Sequence, residues 1–269
     1  MQLHDARVIL TGASGGIGLH IAAALCAEGA RVLAVSRSGA ALEPLLKLYP
    51  ERLRWLEADL GTAAGRQRVL AASQGMDGFN LLINAAGVNH FAMLEQLPEA
   101  DIEAMLQINL LAPMLLTRQL LPGLKQAGSA MLVNVGSTYG SLGYAGYAAY
   151  CASKFGLRGF SEALRRELAD SNVHVLYVAP RATRTGMNSS AAQALNAALN
   201  TQVDDPVRVA SAVVHAIAGD RTELYLGWPE RLFVRINNLL PALIDRGLRK
   251  HLPLIRQFSA HDPQGPRQP

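Results

Sequence analysis

Three tyrosines fall within one short stretch, YAGYAAYCASK, at Tyr144, Tyr147 and Tyr150. A tyrosine that donates a proton near neutral pH needs its pKa brought down from about 10, which a nearby cation does. On a helix that cation must stand three or four residues away to share a face. Tyr150 meets the condition, with Lys154 at i+4, whereas Tyr147 has Tyr150 and Cys151 at those positions and Tyr144 has Tyr147 and Ala148. Tyr150 is therefore the acid/base candidate and Lys154 its partner.

The elements that must carry these residues follow from the apolar pattern. Short β-rich runs at 6–10, 31–36, 53–58, 80–84, 130–135, 173–178 and 223–227 alternate with stretches long enough for crossover helices. Continuous apolar strands bounded by helices predict an α/β domain with a doubly wound parallel sheet of about seven strands, covered on both faces. Such a sheet places its ligand at the carboxyl ends of its strands. Ser137 lies just past the run 130–135, on that side, where a hydroxyl can hold a substrate oxygen; Ser141 is an alternative further into the loop. The first strand runs into TGASGGIGLHIAAAL, with Gly12, Gly16 and Gly18 in the turn that enters a helix. Glycine there lets the main chain approach a pyrophosphate, whose charge meets the free N–H groups of the helix N-terminus.

The spacing T-G-x-x-x-G-x-G resembles the short-chain dehydrogenase/reductase family. Further matches follow in order: Asp59 after the third strand, Asn84-Ala85-Ala86-Gly87 after the fourth, Asn109, Ser137, Tyr150 with Lys154, and Pro180 to Thr185 after the sixth. They cover residues 6 to about 227. The resemblance implies a Rossmann-like fold and a cofactor site formed by Gly12, Ser14, Gly16, Ile17, Gly18, Ser36, Arg37, Asp59, Leu60, Asn84, Ala85, Gly87, Tyr150, Lys154, Pro180 and Thr185. It implies catalysis by Asn109, Ser137, Tyr150 and Lys154, with the lysine also holding the nicotinamide ribose. The asparagine of this family helps hold a water that feeds protons toward the lysine. Pro113 has no N–H to give to the Asn109 carbonyl, which is thereby expected to be free for that use. After Pro180 the family usually has glycine, but here Arg181 follows, and arginine does not tolerate all the backbone angles open to glycine.

Cofactor choice is read at the end of the second strand, where NAD enzymes commonly place an acid against the ribose 2′-hydroxyl. Here Val35-Ser36-Arg37-Ser38 holds no acid before Glu43, and Arg37 suits a 2′-phosphate. NADP is the expected cofactor and NAD the less expected one. Residues 186–204 fall where the resemblance places a substrate lid, before Asp205-Pro206 opens the next helix.

The net charge is +4, and from residue 230 onward seven basic residues stand against three acids, so the excess sits on the tail. That tail has no interleaved aromatics, which argues against a nucleic-acid partner. Within it Leu232, Phe233, Ile236, Leu239, Leu240 and Leu243 share a side at helical spacing, with Arg231, Arg235, Asn238 and Arg246 largely opposite and a kink expected at Pro241. The pattern points to packing on the core or a partner subunit, over the substrate cleft; shallow membrane attachment is the alternative. Two cysteines, Cys26 and Cys151, make no disulfide framework and suggest a reducing, cytoplasmic compartment. Neither a signal peptide nor a membrane span is expected, and the seven histidines show no paired ligand spacing, so no metal is.

The organisation expected is a dinucleotide-binding catalytic domain over 1–229, an amphipathic helical extension over 230–258 and a disordered tail over 259–269. The activity expected is NADP-dependent hydride transfer to or from a lipophilic carbonyl or secondary alcohol, by a homodimer or homotetramer joined through the apolar stretch 109–121. A nucleotide-binding interaction protein without turnover would have no need of the acid at Tyr150. A sugar-nucleotide epimerase would want a larger substrate domain than the residues after Thr185 supply.

Overall fold

The computed structural model describes residues 1–260. Its centre is one seven-stranded parallel sheet: β1 (Arg7–Thr11), β2 (Arg31–Ser36), β3 (Leu53–Glu57), β4 (Leu81–Asn84), β5 (Ala130–Val135), β6 (Val173–Ala179) and β7 (Glu223–Tyr225), in the order β3-β2-β1-β4-β5-β6-β7. The order reverses at β1, where β2 pairs on one side and β4 on the other. The strands obey the period of two. Val8 and Leu10 of β1 are buried against α1 (Gly16–Ala27), through Ile21, Ala22 and Leu25, and against α8 (Pro206–Ala218), through Val213 and Ile217. Ile9 faces the opposite layer, with Leu116 and Leu120 of α5 (Ala112–Gln126) and Leu164 of α6 (Ala148–Glu167). Both faces of the sheet are therefore dry at its inner strands, which is why these read as largely apolar runs, while the edge strand β3 carries exposed Arg54, Trp55 and Glu57.

Between them lie α2 (Glu43–Leu48), α3 (Ala63–Gln74), α4 (Glu99–Leu106) and α7 (Ser190–Ala198). Asp205 caps α8 through a bond from the Val207 N–H to its carboxylate, 2.8 Å long, with Pro206 in the first turn. The expected lid, 186–204, contains α7 and is pinned at its base: Thr183 bridges Asp204, and the Arg184 N–H donates to the Asp204 carbonyl at 2.9 Å. The Arg181 guanidinium joins the Asp204 carboxylate at 2.7 Å. Arg181 also needs no glycine-like backbone, because among the described non-glycine residues only Asn200 and Asp220 have positive φ. The residue that departs from the family pattern thus ties the two ends of the 186–204 segment together.

The C-terminal extension forms α9 (Glu230–Leu239), α10 (Pro241–Arg249) and α11 (Leu252–Ser259), broken at Pro241 as its sequence suggests. Its packing differs from expectation. Leu232, Phe233, Leu239, Leu240 and Leu243 are exposed, and Arg235 is exposed at helical spacing from Leu232 and Leu239. Burial comes instead from Val234 and, in α11, Ile255. The reason is that α11 lies against α7 and supplies the apolar cover there, which leaves the α9–α10 leucines exposed among the described residues. The expected tail lies, from residue 261 onward, outside the described residues.

Candidate active site

The carboxyl ends of β1 to β6 open into a single cleft of about 460 Å³. One end is made of main chain. Gly12 has φ +66°, and a side chain there would run into the Ala86 backbone at 2.6 Å. A Cβ on Gly18 would overlap the Gly12 carbonyl, and one on Gly16 would overlap Thr185. The chain is thereby folded tightly before α1, whose first turn has no side-chain cap at Gly15. Gly16, Ile17 and Gly18 of that turn line the cleft, so an uncapped helix N-terminus borders it, the arrangement that takes a phosphate. Thr11 fastens this turn to the next strand: its Oγ1 accepts from the N–H groups of Ala85 and Ala86 at 3.1 and 3.3 Å. These residues fit a dinucleotide.

Ser14, Ile17, Ser36, Arg37, Asp59, Leu60, Ala85, Gly87, Pro180 and Thr185 line the same cleft. Arg37 stands exposed past the end of β2. Ser36 is held inward, its hydroxyl donating to the Ser38 carbonyl at 2.8 Å and accepting from Trp55 Nε1 at 3.0 Å. Asp59 bends back to accept from the Gly61 N–H at 2.9 Å.

At the other end Ser137, Tyr150 and Lys154 converge. Ser137 caps the short turn Thr138–Gly140 through a bond from the Tyr139 N–H, 3.1 Å long. Burial pushes the Tyr150 pKa up to about 12, outweighing the Ser137 side chain, which favours the phenolate. Lys154 Nζ donates to the Val135 carbonyl at 3.0 Å and lies 5.8 Å from the Tyr150 ring centre. Burial brings the lysine down to about 8. The expected direction for Tyr150 is thus reversed: the lysine is on the right face, but its charge is turned to a strand-end carbonyl, and desolvation dominates. The consequence is that Tyr150 keeps its proton across neutral pH and stands as a donor.

Two expected site residues lie behind the cleft instead of in it. Asn84, buried, donates to Asn134 Oδ1 at 2.9 Å and Thr117 Oγ1 at 3.2 Å, tying β4 to β5 and α5. Asn109, fully buried, sits in a π-helical turn, Gln107–Leu111. Its Oδ1 accepts from the Val88 N–H at 2.8 Å, and its Nδ2 donates to the Val88 carbonyl at 2.9 Å and to Ser153 Oγ at 3.0 Å. The Asn109 amide is occupied at both atoms because the Val88 main chain it braces carries polar groups that burial would otherwise leave unsatisfied, whereas Asn84 uses only its Nδ2, on side chains, and its buried Oδ1 has no partner among the described residues. Asn109 thus braces Val88, which lines the cleft, against α6 beside Tyr150.

Other residues here have no separate part in the sequence reading. Tyr139 stacks on Tyr144 and meets Tyr147 with ring centres 5.2 Å apart in both cases, and Tyr147 stacks on Phe91 at 5.0 Å. Leu142, Met187 and Val88 complete an apolar wall. Tyr177, buried at the end of β6, donates to the Ser137 carbonyl at 3.3 Å and accepts from the Ser137 N–H at 3.5 Å. Side chains on Gly136 or Gly140 would strike its hydroxyl. The available signal for Tyr177 is a tyrosine near the carboxyl end of a strand whose other buried residues are aliphatic.

Comparison with known proteins agrees with this geometry. Residues 6–196 match the family model described as short chain dehydrogenase. The chain is 32% identical over 250 residues to ketoacyl reductase HetN of Nostoc sp., covering 89% of this chain and 86% of the relative. It is 30% identical over 219 residues to the 3-oxoacyl-[acyl-carrier-protein] reductase FabG of Vibrio cholerae, covering 79% and 90%. Among solved structures, a short-chain dehydrogenase from Streptomyces avermitilis superposes with a TM-score of 0.79 at 29% identity, covering 91% of this chain and 97% of that one. For fold alone, a Burkholderia phymatum short chain dehydrogenase/reductase in complex with NAD gives a TM-score of 0.81 at 21% identity, covering 90% and 96%. The chain belongs to the short-chain dehydrogenase/reductase family and is an NAD(P)-dependent oxidoreductase of that type.

Proposed function

We propose that this protein is an NADP(H)-dependent carbonyl reductase, reversible as an alcohol dehydrogenase, acting on a lipophilic substrate. The observation that carries the reading is the convergence of Ser137, Tyr150 and Lys154 on the cleft that also holds the glycine turn. Bound in that cleft, the nicotinamide would supply or accept the hydride. Ser137 orients the substrate oxygen, and Tyr150 gives it the proton from Oη. The raised pKa of Tyr150 suits the reductive direction, since the proton is in place at neutral pH. Lys154, wedged between α6 and the Val135 carbonyl, holds the ribose and replenishes the tyrosine. Asn109 acts by positioning Val88 and Ser153. The apolar wall of Val88, Leu142, Tyr139 and Met187 favours a substrate with hydrocarbon near its carbonyl. That HetN and FabG are named for ketoacyl reduction points the same way. An oligomer formed through the exposed Leu111 and Met114 of the 109–121 segment belongs to the same reading.

The preference for NADP rests on Arg37, exposed in the cleft with no acid beside it before Glu43. Arg37→Asp is expected to weaken NADP binding by about two to four kcal/mol, the scale of a charge-paired contact removed, and to leave NAD binding equal or tighter. Fluorescence titration of both cofactors against both proteins checks it. Equal NADP affinity in the two would overturn the assignment.

A further inference from the structure

The C-terminal extension turns large apolar side chains to the outside of the molecule. Trp228 is 70% exposed, Leu239 79%, Leu240 60% and Leu243 58%, and Leu232 and Phe233 join them. Such a run, concentrated within two successive helices, is more than the scattered apolar exposure of an ordinary surface. Its charges lie among the leucines. On α9, Leu232, Arg235 and Leu239 follow one another at i, i+3 and i+7, and all three are exposed; on α10 the same spacing joins Leu243, Arg246 and Lys250. Between residues 232 and 250 four cations, Arg235, Arg246, Arg249 and Lys250, stand against one acid, Asp245.

The face is held in place at both ends. Ile255 of α11 is buried against the lid helix and would meet a side chain placed on Gly146 at 3.2 Å. Asn237 of α9 donates to the Ser141 carbonyl, 3.1 Å away, in the loop that follows Ser137. The leucines are therefore presented from a fixed platform beside the tyrosine end of the cleft.

What covers this face must accept hydrocarbon and positive charge together. A second copy packed through the same face would bring two sets of four cations, with one acid each, into a single interface, which disfavours it. An anionic lipid surface satisfies both requirements: the leucines and Trp228 enter the boundary between headgroups and acyl chains while the cations meet the headgroups. No helix among the described residues is long and apolar enough to cross a membrane, so the contact is in the plane of the surface. We propose that α9 and α10 form a docking face for a bilayer of acidic phospholipid. The inference stands on the extension alone and does not depend on which substrate the cleft takes.

Co-sedimentation of the full chain with vesicles of phosphatidylcholine, with and without phosphatidylserine, tests it. Binding is expected to the mixed vesicles, at least about tenfold tighter than to phosphatidylcholine alone, given that each cation near an anionic surface contributes about fivefold. Raising the salt should weaken it. The double variant Leu239→Asp/Leu243→Asp and, separately, Arg246→Glu/Lys250→Glu should each lose at least about tenfold, with thermal unfolding unchanged in the charge variant. Equal binding to both vesicle types overturns the proposal, as does unchanged binding in both double variants. So does absence of binding to either vesicle; if Leu239→Asp then dissociates a dimer in sedimentation velocity, the face belongs to a second copy.

Discussion

The glycine end of the cleft and its tyrosine end are made from different material. Around Gly12, Gly16 and Gly18 the shape is set by main chain within one turn between β1 and α1, and what it offers a ligand is N–H groups. Around Tyr150 the wall is set by side chains of Val88, Tyr139, Leu142, Tyr147 and Met187, backed by Phe91, Ala191 and Ile255, which arrive from four segments far apart in sequence. Main chain held by missing Cβ atoms recognises what every dinucleotide shares. A wall of side chains brought from several elements recognises what differs between substrates, and can be altered one residue at a time.

That contrast predicts separable effects. The largest concerns Tyr150. Tyr150→Phe keeps the ring and removes the donor, so turnover should fall at least about a hundredfold, the low end for a general acid, while cofactor affinity stays within a few-fold. Tyr147→Phe should keep most turnover, because that ring packs on Phe91 and Tyr139 and has no lysine on its helix face. Single-turnover rates and cofactor titration on both variants decide it; a dead Tyr147→Phe beside an active Tyr150→Phe would mean that the wrong tyrosine has been assigned.

An intermediate effect is expected from Ile255→Ala. Ile255 is buried among Phe91, Gly146 and the lid helix, and truncating such a side chain typically costs about 2–5 kcal/mol. Much of that is expected as local loosening of α11, read as faster hydrogen exchange over residues 252–259 than over α1. The KM for an apolar ketone should rise, and the cofactor Kd should not move. A Kd that shifts as far as the KM would show that the two ends are not independent.

How much of this was legible follows from the same division. The inner strands are readable because both faces of the sheet are buried there, so each is a largely apolar run, and the glycine turn because its constraint is local. The Tyr150–Lys154 register is readable because one helix contains both. The sign of the Tyr150 shift is not, since it depends on burial by Tyr139 and Tyr147 and on Val135 accepting from Lys154. Asn84 and Asn109 carry a family motif whose sequence does not tell lining from bracing; only their partners Asn134, Thr117, Val88 and Ser153 do. The outward leucines of α9 and α10 give the same periodicity whether their face meets protein or not, and it is α11, a separate helix, that takes the place on the lid.

The smallest effect expected is at Tyr177, and it probes how the tyrosine end is held to the sheet. Its hydroxyl touches Ser137 twice, at the carbonyl and at the N–H, while its ring meets Tyr225 edge-on with centres 6.2 Å apart. Tyr225 in turn reaches Ser141 Oγ at 3.3 Å, and Arg158 Nη1 donates to that same hydroxyl at 2.8 Å. Tyr177→Phe leaves the ring and its packing but frees the Ser137 backbone on one side. A hydrogen bond of this kind contributes about 0.5–1.5 kcal/mol net, so if Ser137 must be held in place beside Tyr150, kcat should fall about two- to tenfold. Loss of fold stability alone would lower the melting temperature without changing kcat measured well below it. Steady-state rates, cofactor titration and a melting curve on the one variant separate these outcomes. An unchanged kcat would mean that the Tyr139 N–H bond fixes Ser137 sufficiently, whereas a weakened cofactor Kd with normal kcat would assign Tyr177 to the glycine end and erase the boundary drawn between the two.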